Sequence, residues 1–325
     1  MAPDGLCAGS ARGCGTATMQ DMNSSNSLFP LDAPWRIDSD RLMTLVARQV
    51  RDWSVEIVDE TGSTNADLMA RMKERPRDRS PASAIAPLVR VAYSQTAGRG
   101  RRGRPWVAQP GNALLFSIAC VLQRPIEGLA GLSLAVGTGV LDAMDTLPLS
   151  ASARLALKWP NDVLIDDGKL AGILIETAWN TPQTTAVVIG IGINLHGAAE
   201  LAAQVEEANR QSSATAIPAP GNAPASLSRA WPGANLTDTL AAMLNALDAT
   251  LTRFSAEGFR PFRQPWLAAH GYAGREVVLL EQGVEVARGV AAGVDDQGQL
   301  QIDTPAGLRT VATGDVTLRL GEPRP

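Results

Sequence analysis

Apolar positions spaced three and four residues apart predict helices that each bury one face. The first would begin at Ser39, a candidate N-cap, and bury Leu42, Leu45, Val46 and Val50. A second would follow residues 63–65, and a third, rich in small residues, would span 129–147. A fourth would begin at Thr237 and carry a stripe of leucines.

Continuous apolar runs between these helices predict the strands of a sheet. The runs cover residues 88–93, 113–122 and 186–195. Because the run at 113–122 is apolar on both faces, we expect helices to cover both sides of the sheet. Residues 155–165 and 170–177 flank Asp166-Asp167-Gly168, and this spacing predicts a hairpin with a tight turn. The fold class is therefore α+β, with helices packed on a mixed β-sheet.

Composition and hydrophobic periodicity along the chain predict three parts. Residues 1–38 are poor in hydrophobic periodicity and indicate a disordered leader before a domain at 39–270. Within that domain, residues 205–236 contain Pro and Gly clusters typical of a loop insertion. Residues 271–325 hold short strand-like runs broken by turns, which predicts a small antiparallel barrel.

The composition of the chain argues against several classes of function. The chain has 325 residues, 45% of them hydrophobic, and a net charge of −4, so it is not a globally basic nucleic-acid binder. Two histidines make a His-based triad or His-ligated metal centre unexpected, and no carboxylate cluster predicts metal ligands. Three cysteines and the lack of a secretory signal favour a cytoplasmic protein.

The densest chemical signal is an arginine-rich loop at residues 95–106. Four arginines lie within six residues, separated by glycines, and no acidic residue occurs between Val91 and Ile126. Such a loop repels itself unless an anion binds, and guanidinium forks suit phosphate or carboxylate. A solvated turn or a nonspecific RNA-binding patch is the alternative at this point.

Two further patterns bear on the same chemistry. Lys158 begins the run Lys-Trp-Pro-Asn-Asp, and Lys169 begins Lys-Leu-Ala-Gly-Ile, so both lysines enter apolar strands where an ammonium needs an anion. Gly190 and Gly192 leave either a slot for a flat group or room for tight helix packing. Each signal alone also fits a structural role, as does Ser63-Thr64-Asn65, which could be only a helix cap.

These motifs, in this order, resemble the biotin–protein ligases across about residues 40–320. The resemblance rests on the Gly-Arg-rich loop, the Lys-Trp-Pro-Asn-Asp and Lys-Leu-Ala-Gly-Ile motifs, and Gly-Ile-Gly-Ile-Asn at 190–194. It implies the class II synthetase-like fold of that family with an SH3-like C-terminal barrel. It also implies that biotin and ATP, with Mg²⁺, form biotinyl-5′-AMP, from which biotin passes to a lysine.

The resemblance also implies roles for individual residues. Lys169, Arg99 and Arg101 would act in catalysis. Biotin would contact Ser63, Thr64, Asn65, Gln95, Arg99, Gly100, Arg101, Lys169 and Gly172. ATP and the adenylate would contact Arg101, Trp106, Asn161, Asn194, Asp315 and Arg319.

The implied protein partner is the biotin carboxyl carrier domain of a biotin-dependent carboxylase. About 40 residues precede the catalytic part, which is short for a DNA-binding module, so we expect a ligase that binds neither DNA nor membrane. A weak homodimer is compatible with the sequence. A lipoate–protein ligase of similar core fold and an RNA-associated protein that uses the arginine loop are the alternatives.

Overall fold

A mixed seven-stranded sheet forms the centre of the molecule. The computed structural model describes residues 27–74, 86–212, 222–281, 284–312 and 316–321. The strands are β1 (Ser54–Thr61), β2 (Leu88–Gln95), β3 (Ala113–Leu122), β4 (Leu155–Lys158), β5 (Asp162–Ile165), β6 (Gly168–Asn180) and β7 (Thr185–Asn194). They lie in the order β1-β2-β3-β7-β6-β5-β4, and only the β1–β2 pair is parallel among these strands.

Helices cover both faces of this sheet, as the apolar run at 113–122 predicted. The helices are α1 (Ser39–Leu45), α2 (Thr64–Glu74), α3 (Leu132–Asp145), α4 (Ala198–Ser212), α5 (Leu236–Glu257) and α6 (Arg260–Ala268). On one face α3 packs against α5 and the sheet; on the other, Leu68 and Met72 of α2 are fully buried against strand residues such as Ala119. The segment Ile126–Asp145 is long and apolar enough for a membrane span by composition, but it contains the α3 core helix.

A second, antiparallel sheet follows at the C-terminal end. Its strands are β8 (Glu276–Glu281), β9 (Val284–Val294), β10 (Leu300–Thr304), β11 (Gly307–Val311) and β12 (Val316–Leu320), in the order β11-β10-β9-β8-β12. The edge strands β11 and β12 do not pair with each other in the described ranges, so the predicted closed barrel is not seen there. The proposed division at residue 271 stays a prediction.

The N-terminal segment differs from the predicted leader. The Leu28 amide and the Ser27 hydroxyl donate hydrogen bonds to Asp59 of β1, and Arg36 forms an ion pair of 2.6 Å with the same carboxylate. The predicted leader therefore extends too far, because residues 27–38 pack on the domain. Residues 1–26 lie outside the described residues. Helix α1 has Asp38 rather than Ser39 as its N-cap.

Other differences follow from weak local signals. The predicted loop insertion at 205–236 overlaps the end of α4, and α5 has Asn235 rather than Thr237 as its N-cap. The sequence did not predict strand β1, whose alternation breaks at Ile57-Val58, or helix α6, which contains Pro261 and Pro265. The run 155–165 is two strands, β4 and β5, paired through Lys158 and Asp162, so the hairpin region has three strands. The turn after Ile165 uses Asp166 and Asp167, both at positive φ.

Candidate active site

One cleft collects most of the residues that the sequence singled out. It lies where the N-terminus of α2, the loop after β2, the start of β6 and β12 of the second sheet meet. Its lining includes Ser63, Thr64, Asn65, Gln95, Arg99, Gly100, Arg101, Trp106, Asn161, Lys169, Gly172 and Arg319. The fold therefore brings together positions that are up to 256 residues apart in the chain.

One end of the cleft is built from neutral polar groups that fix each other. The Thr64 amide donates to Gln95 Oε1 at 2.8 Å, and the Ser117 hydroxyl bonds both Thr64 Oγ1 at 2.7 Å and Asn65 Oδ1 at 2.6 Å. Asn65 also donates to Glu176 at 2.8 Å. These side chains are hydrogen-bonding groups already held in place where α2 begins.

The glycine at 190 makes this polar end possible. An added Cβ at Gly190 would overlap Asn65 Oδ1. Because β7 has no side chain at residue 190, the first turn of α2 can lie close to the sheet. Of the two sequence interpretations, tight helix packing is the one that applies at this position.

Another part of the cleft is cationic. Residues 98–106 form a turned-back loop in which the Gly100 amide donates to the Arg104 carbonyl at 2.8 Å and the Trp106 amide donates to the Gly98 carbonyl at 2.9 Å. Arg99 lies 3.8 Å from Glu176, with half of its side chain exposed. The arginine side chains of this loop therefore reach the cleft from a backbone held by its own hydrogen bonds.

Trp106 occupies the slot that the glycines leave open. A Cβ on Gly192 would lie 2.5 Å from the indole ring, and one on Gly172 would lie 2.9 Å from it. The flat group on these strands is thus a side chain of the protein. The indole Nε1 is buried and has no hydrogen-bond partner in the described part of the chain.

The charges at the centre of the cleft form a lysine–aspartate–lysine cluster. Asp162 Oδ1 lies 2.6 Å from Lys169 Nζ, and Asp162 Oδ2 lies 3.5 Å from Lys158 Nζ. Burial works to raise the pKa of Asp162, but the two ammonium groups outweigh burial and hold that pKa below its ordinary value. Burial lowers the pKa of Lys158 to about 8, assisted by Arg319 and Lys169 and opposed by Asp162.

Arg319 brings a further cation from the second sheet. Its Nε is buried with no hydrogen-bond partner among the described residues. Burial lowers the pKa of Arg319, and Arg104 and Arg102 lower it further, whereas Tyr272 and Asp162 act to raise it. A cation held near other cations in a buried position is costly without an anion, which indicates a site for negative charge at this place.

One predicted site residue, Asn194, is not brought into the cleft. Asn194 donates to the Lys169 and Ala225 carbonyls, each at 3.2 Å, and lines a small separate cavity. These two hydrogen bonds fasten β7 to the segment beside Lys169. Asp315 lies outside the described residues.

Sequence reasoning left three residues out of the site. Asp162, Lys158 and Asn222 line the cleft, although the sequence marked the first two only as part of a motif. The four-residue spacing from Lys158 to Asp162 is a usable signal for a charge pair. Asn222 follows a segment without any pattern, and only the fold brings it to Lys158.

The residues of the cleft do not form a metal site by themselves. No group of three or more His, Cys, Asp or Glu side chains with metal-binding spacing occurs in the described ranges. Both oxygens of the cleft's Asp162 already face lysines.

The cleft on the mixed sheet combines neutral hydrogen-bonding groups with cations that can bind phosphate. Together with the fold, this combination defines a ligase that activates a small acid. Family models agree: the Biotin/lipoate A/B protein ligase family matches residues 76–194, and the Biotin protein ligase C terminal domain matches 272–319. The chain belongs to the biotin–protein ligase family, on the evidence of these matches and of the relatives below.

Three similar proteins illustrate the relationship. A biotin–[acetyl-CoA-carboxylase] ligase of Paracoccus denitrificans is 38% identical over 229 residues, covering 70% of this chain and 88% of the relative. One from Mycobacterium tuberculosis is 34% identical over 297 residues, covering 86% and 98%. The biotin protein ligase of Aquifex aeolicus, solved with biotin and ATP, has a TM-score of 0.59 and 26% identity, covering 82% of this chain and 99% of that chain.

Proposed function

We propose that this enzyme joins biotin to AMP in the cleft and then transfers biotin to a lysine of a carboxyl carrier domain. The observation that carries the proposal is the polarity of the cleft, which runs from the neutral network around Asn65 to the cations around Lys169. Biotin has the same polarity, with a neutral ureido ring at one end and a carboxylate at the other.

The polar network suits the ureido ring. Ser63, Thr64, Asn65 and Gln95 offer hydroxyl and amide groups on one wall of the cleft. A ring carbonyl and two ring N–H groups need such donors and acceptors, because a buried polar group without partners is costly. The carboxylate would then lie beside Lys169, Arg99, Gly100 and Arg101, which line the same cleft.

The cationic end suits adenylation. A biotin carboxylate oxygen attacks the α-phosphorus of ATP, a P–O bond forms, and the bond to pyrophosphate breaks. The nucleophile is already ionised, so the site needs no histidine base. Its tasks are to position the reactants and to stabilise charge, for which Lys169, Arg101 and Arg319 are suited. Trp106 and Asn161 line the same part of the cleft and would contact the adenylate.

Mg²⁺ is part of this proposal only as a companion of ATP. The described side chains provide no ligand cage, so the cation would come bound to the triphosphate oxygens. The protein's own share is the neutralisation of phosphate charge by arginine and lysine.

The second half-reaction requires a protein substrate. The amine of a carrier lysine attacks the carbonyl carbon of the mixed anhydride, an amide bond forms, and AMP leaves. A biotin carboxyl carrier domain is the partner that this chemistry requires, and a cytoplasmic location is where the proposal places the reaction. Neither step calls for DNA or a membrane.

The test is the purified chain with MgATP and one acid at a time. We expect mass spectrometry to find biotinyl-AMP with biotin and pyrophosphate release that depends on biotin. Lipoate is the comparison, because a lipoate–protein ligase is the alternative within the matched family. Lipoyl-AMP in place of biotinyl-AMP would overturn the biotin assignment. The absence of both products would overturn the proposed reaction.

A further inference from the structure

A partly buried relay of hydrogen bonds connects Tyr272, just before the second sheet, to the charge cluster. Asn222 Oδ1 accepts from Lys158 Nζ at 2.8 Å and from the Tyr272 hydroxyl at 2.8 Å. Asn222 Nδ2 donates to the Asp167 carbonyl at 2.8 Å, so the amide is fixed at both of its polar atoms. Tyr272, 2% exposed, lies where the chain enters the second sheet.

The segment that carries Asn222 is bound to the strand that carries Lys169. The Lys169 amide donates to the Ala223 carbonyl at 2.7 Å, and the Ala225 amide donates to the Lys169 carbonyl at 2.9 Å. Asn222 therefore cannot move without disturbing the backbone at Lys169. The relay and the backbone pairing act on the same charge cluster from two directions.

The use of lysine in this chain sets these positions apart. The whole sequence has three lysines, Lys73, Lys158 and Lys169, and its other side-chain cations at neutral pH are arginines. Two of the three lysines therefore sit on Asp162 in the cleft. The lysine ammonium is a compact charge on a flexible stem, so its position depends on its hydrogen-bond partners. The arginine guanidinium instead presents its donors in a fixed planar arrangement. A lysine cluster thus depends on neighbours such as Asn222.

We propose that Asn222, held by Tyr272, is a positioning residue that keeps the Lys158 ammonium against Asp162 and so sets the place of Lys169 in the cleft. This inference rests on the proposed function, because its catalytic consequence is the rate of adenylate formation. Asn222 itself need not touch the reacting atoms. The segment that leads into the second sheet would then contribute to the reaction through Tyr272, in addition to Arg319 of β12.

The charged and titratable groups around Lys158 determine the sign of the expected shifts. Asp162, Lys169, Arg319 and Tyr272 surround the ammonium from β5, β6 and the C-terminal part of the chain. An acceptor on an ammonium favours the charged form. Loss of the Asn222 oxygen in Asn222→Ala should therefore lower the pKa of Lys158 below about 8, and the added carboxylate in Asn222→Asp should raise it.

The experiment follows the three lysines by NMR with ¹³Cε-labelled lysine in the full chain. Lys158 is assigned by comparison with Lys158→Arg, and exposed Lys73 serves as an internal reference. We expect Asn222→Ala and Tyr272→Phe to move the Lys158 titration to lower pH and Asn222→Asp to move it to higher pH. Tyr93→Phe is the matched control, because the other tyrosine bonds the Ile37 amide away from the cleft.

The kinetic arm measures biotinyl-AMP formation by the same variants. We expect Asn222→Ala to lose about ten- to hundredfold in kcat, the size of one lost hydrogen bond to a charged group, with a smaller change in KM. The alkaline limb of its pH profile should follow the Lys158 titration. A merely structural role would lower the rate equally at every pH.

Two outcomes separate the relay from the proposed reaction. Unchanged Lys158 titration in both Asn222→Ala and Tyr272→Phe would overturn the relay, even if the wild-type chain adenylates biotin. A wild-type chain that makes no adenylate would refute the reaction, while the lysine titrations would still decide the relay. Tyr272→Phe preserves the ring and its packing, so it remains informative if Asn222→Ala fails to fold.

Discussion

Replacing Asp162 by Asn removes the one carboxylate that holds the two cleft lysines together. The amide has nearly the same shape, so the change isolates the charge. Removing one partner of a buried ion pair costs about 3–5 kcal/mol because the other charge stays buried. Lys158 is only 6% exposed, whereas Lys169 is 31% exposed and regains water more easily. We therefore expect a loss near the lower limit, about 3 kcal/mol of unfolding free energy at pH 7.

Asp167→Asn is the matched control in the same hairpin. Its carboxylate is 61% exposed and pairs with Arg275 at 3.3 Å, so its loss should cost no more than about 1 kcal/mol. Urea unfolding at several pH values measures both variants. A loss at Asp162 no larger than that of the control would refute the reasoning.

Acid titration supplies a second check on Asp162. Its pKa is lowered in the folded state, so its contribution is complete above the unfolded value of about 3.9 and disappears as the pH falls through the folded value. The difference between wild type and Asp162→Asn should therefore shrink on the acid side of about pH 4. A difference that stays constant from pH 7 to pH 3 would show that the charge is not responsible.

Three further predictions follow from the packing and charges of the cleft. Gly190→Ala should cost at least about 1–3 kcal/mol through overlap with the adjacent amide, whereas Gly62→Ala, which has open space, should be near neutral in the same thermal melts. Binding of biotin with MgATP should change the fluorescence of Trp106, and the change should be lost in Trp106→Phe; an equal change in that variant would contradict the indole's place in the slot. The pKa of Lys158 falls to about 8 in the folded state, so the charged form destabilises the fold below that pH. The stability of the wild type relative to Lys158→Met should therefore rise from pH 8 to about 10, which equilibrium unfolding at several pH values would measure.

The elements with strong periodicity were predictable from sequence. The leucine stripe of α5 and the two-sided apolar run of β3 carry signals that packing later reinforces, and both were predicted. Strand β1 lies at a sheet edge and its alternation of apolar and charged residues breaks at Ile57-Val58. The Arg36–Asp59 pair that fastens the preceding segment to β1 joins distant parts of the chain. Such features depend on tertiary contacts that no local window contains.

The candidate site shows the same contrast between residues that a local motif marks and residues that only the fold brings together. Arg99, Lys169 and Gly172 lie in dense motifs, and the fold brings them to one cleft as the sequence indicated. Asn194 ends a similar motif, yet its amide serves two backbone carbonyls instead. Asn222 has no motif at all, because its role arises only where its loop meets the strand of Lys169.

The central claim is that a small acid binds with its carboxylate at the lysine and arginine end of the cleft. Isothermal titration calorimetry of biotin and of its methyl ester, on wild type and on Lys169→Ala, tests this claim most directly. We predict that biotin binds the wild type more tightly than the ester does, and that most of this preference is lost in Lys169→Ala. Equal binding of acid and ester to the wild type, or no binding of biotin, would contradict the account.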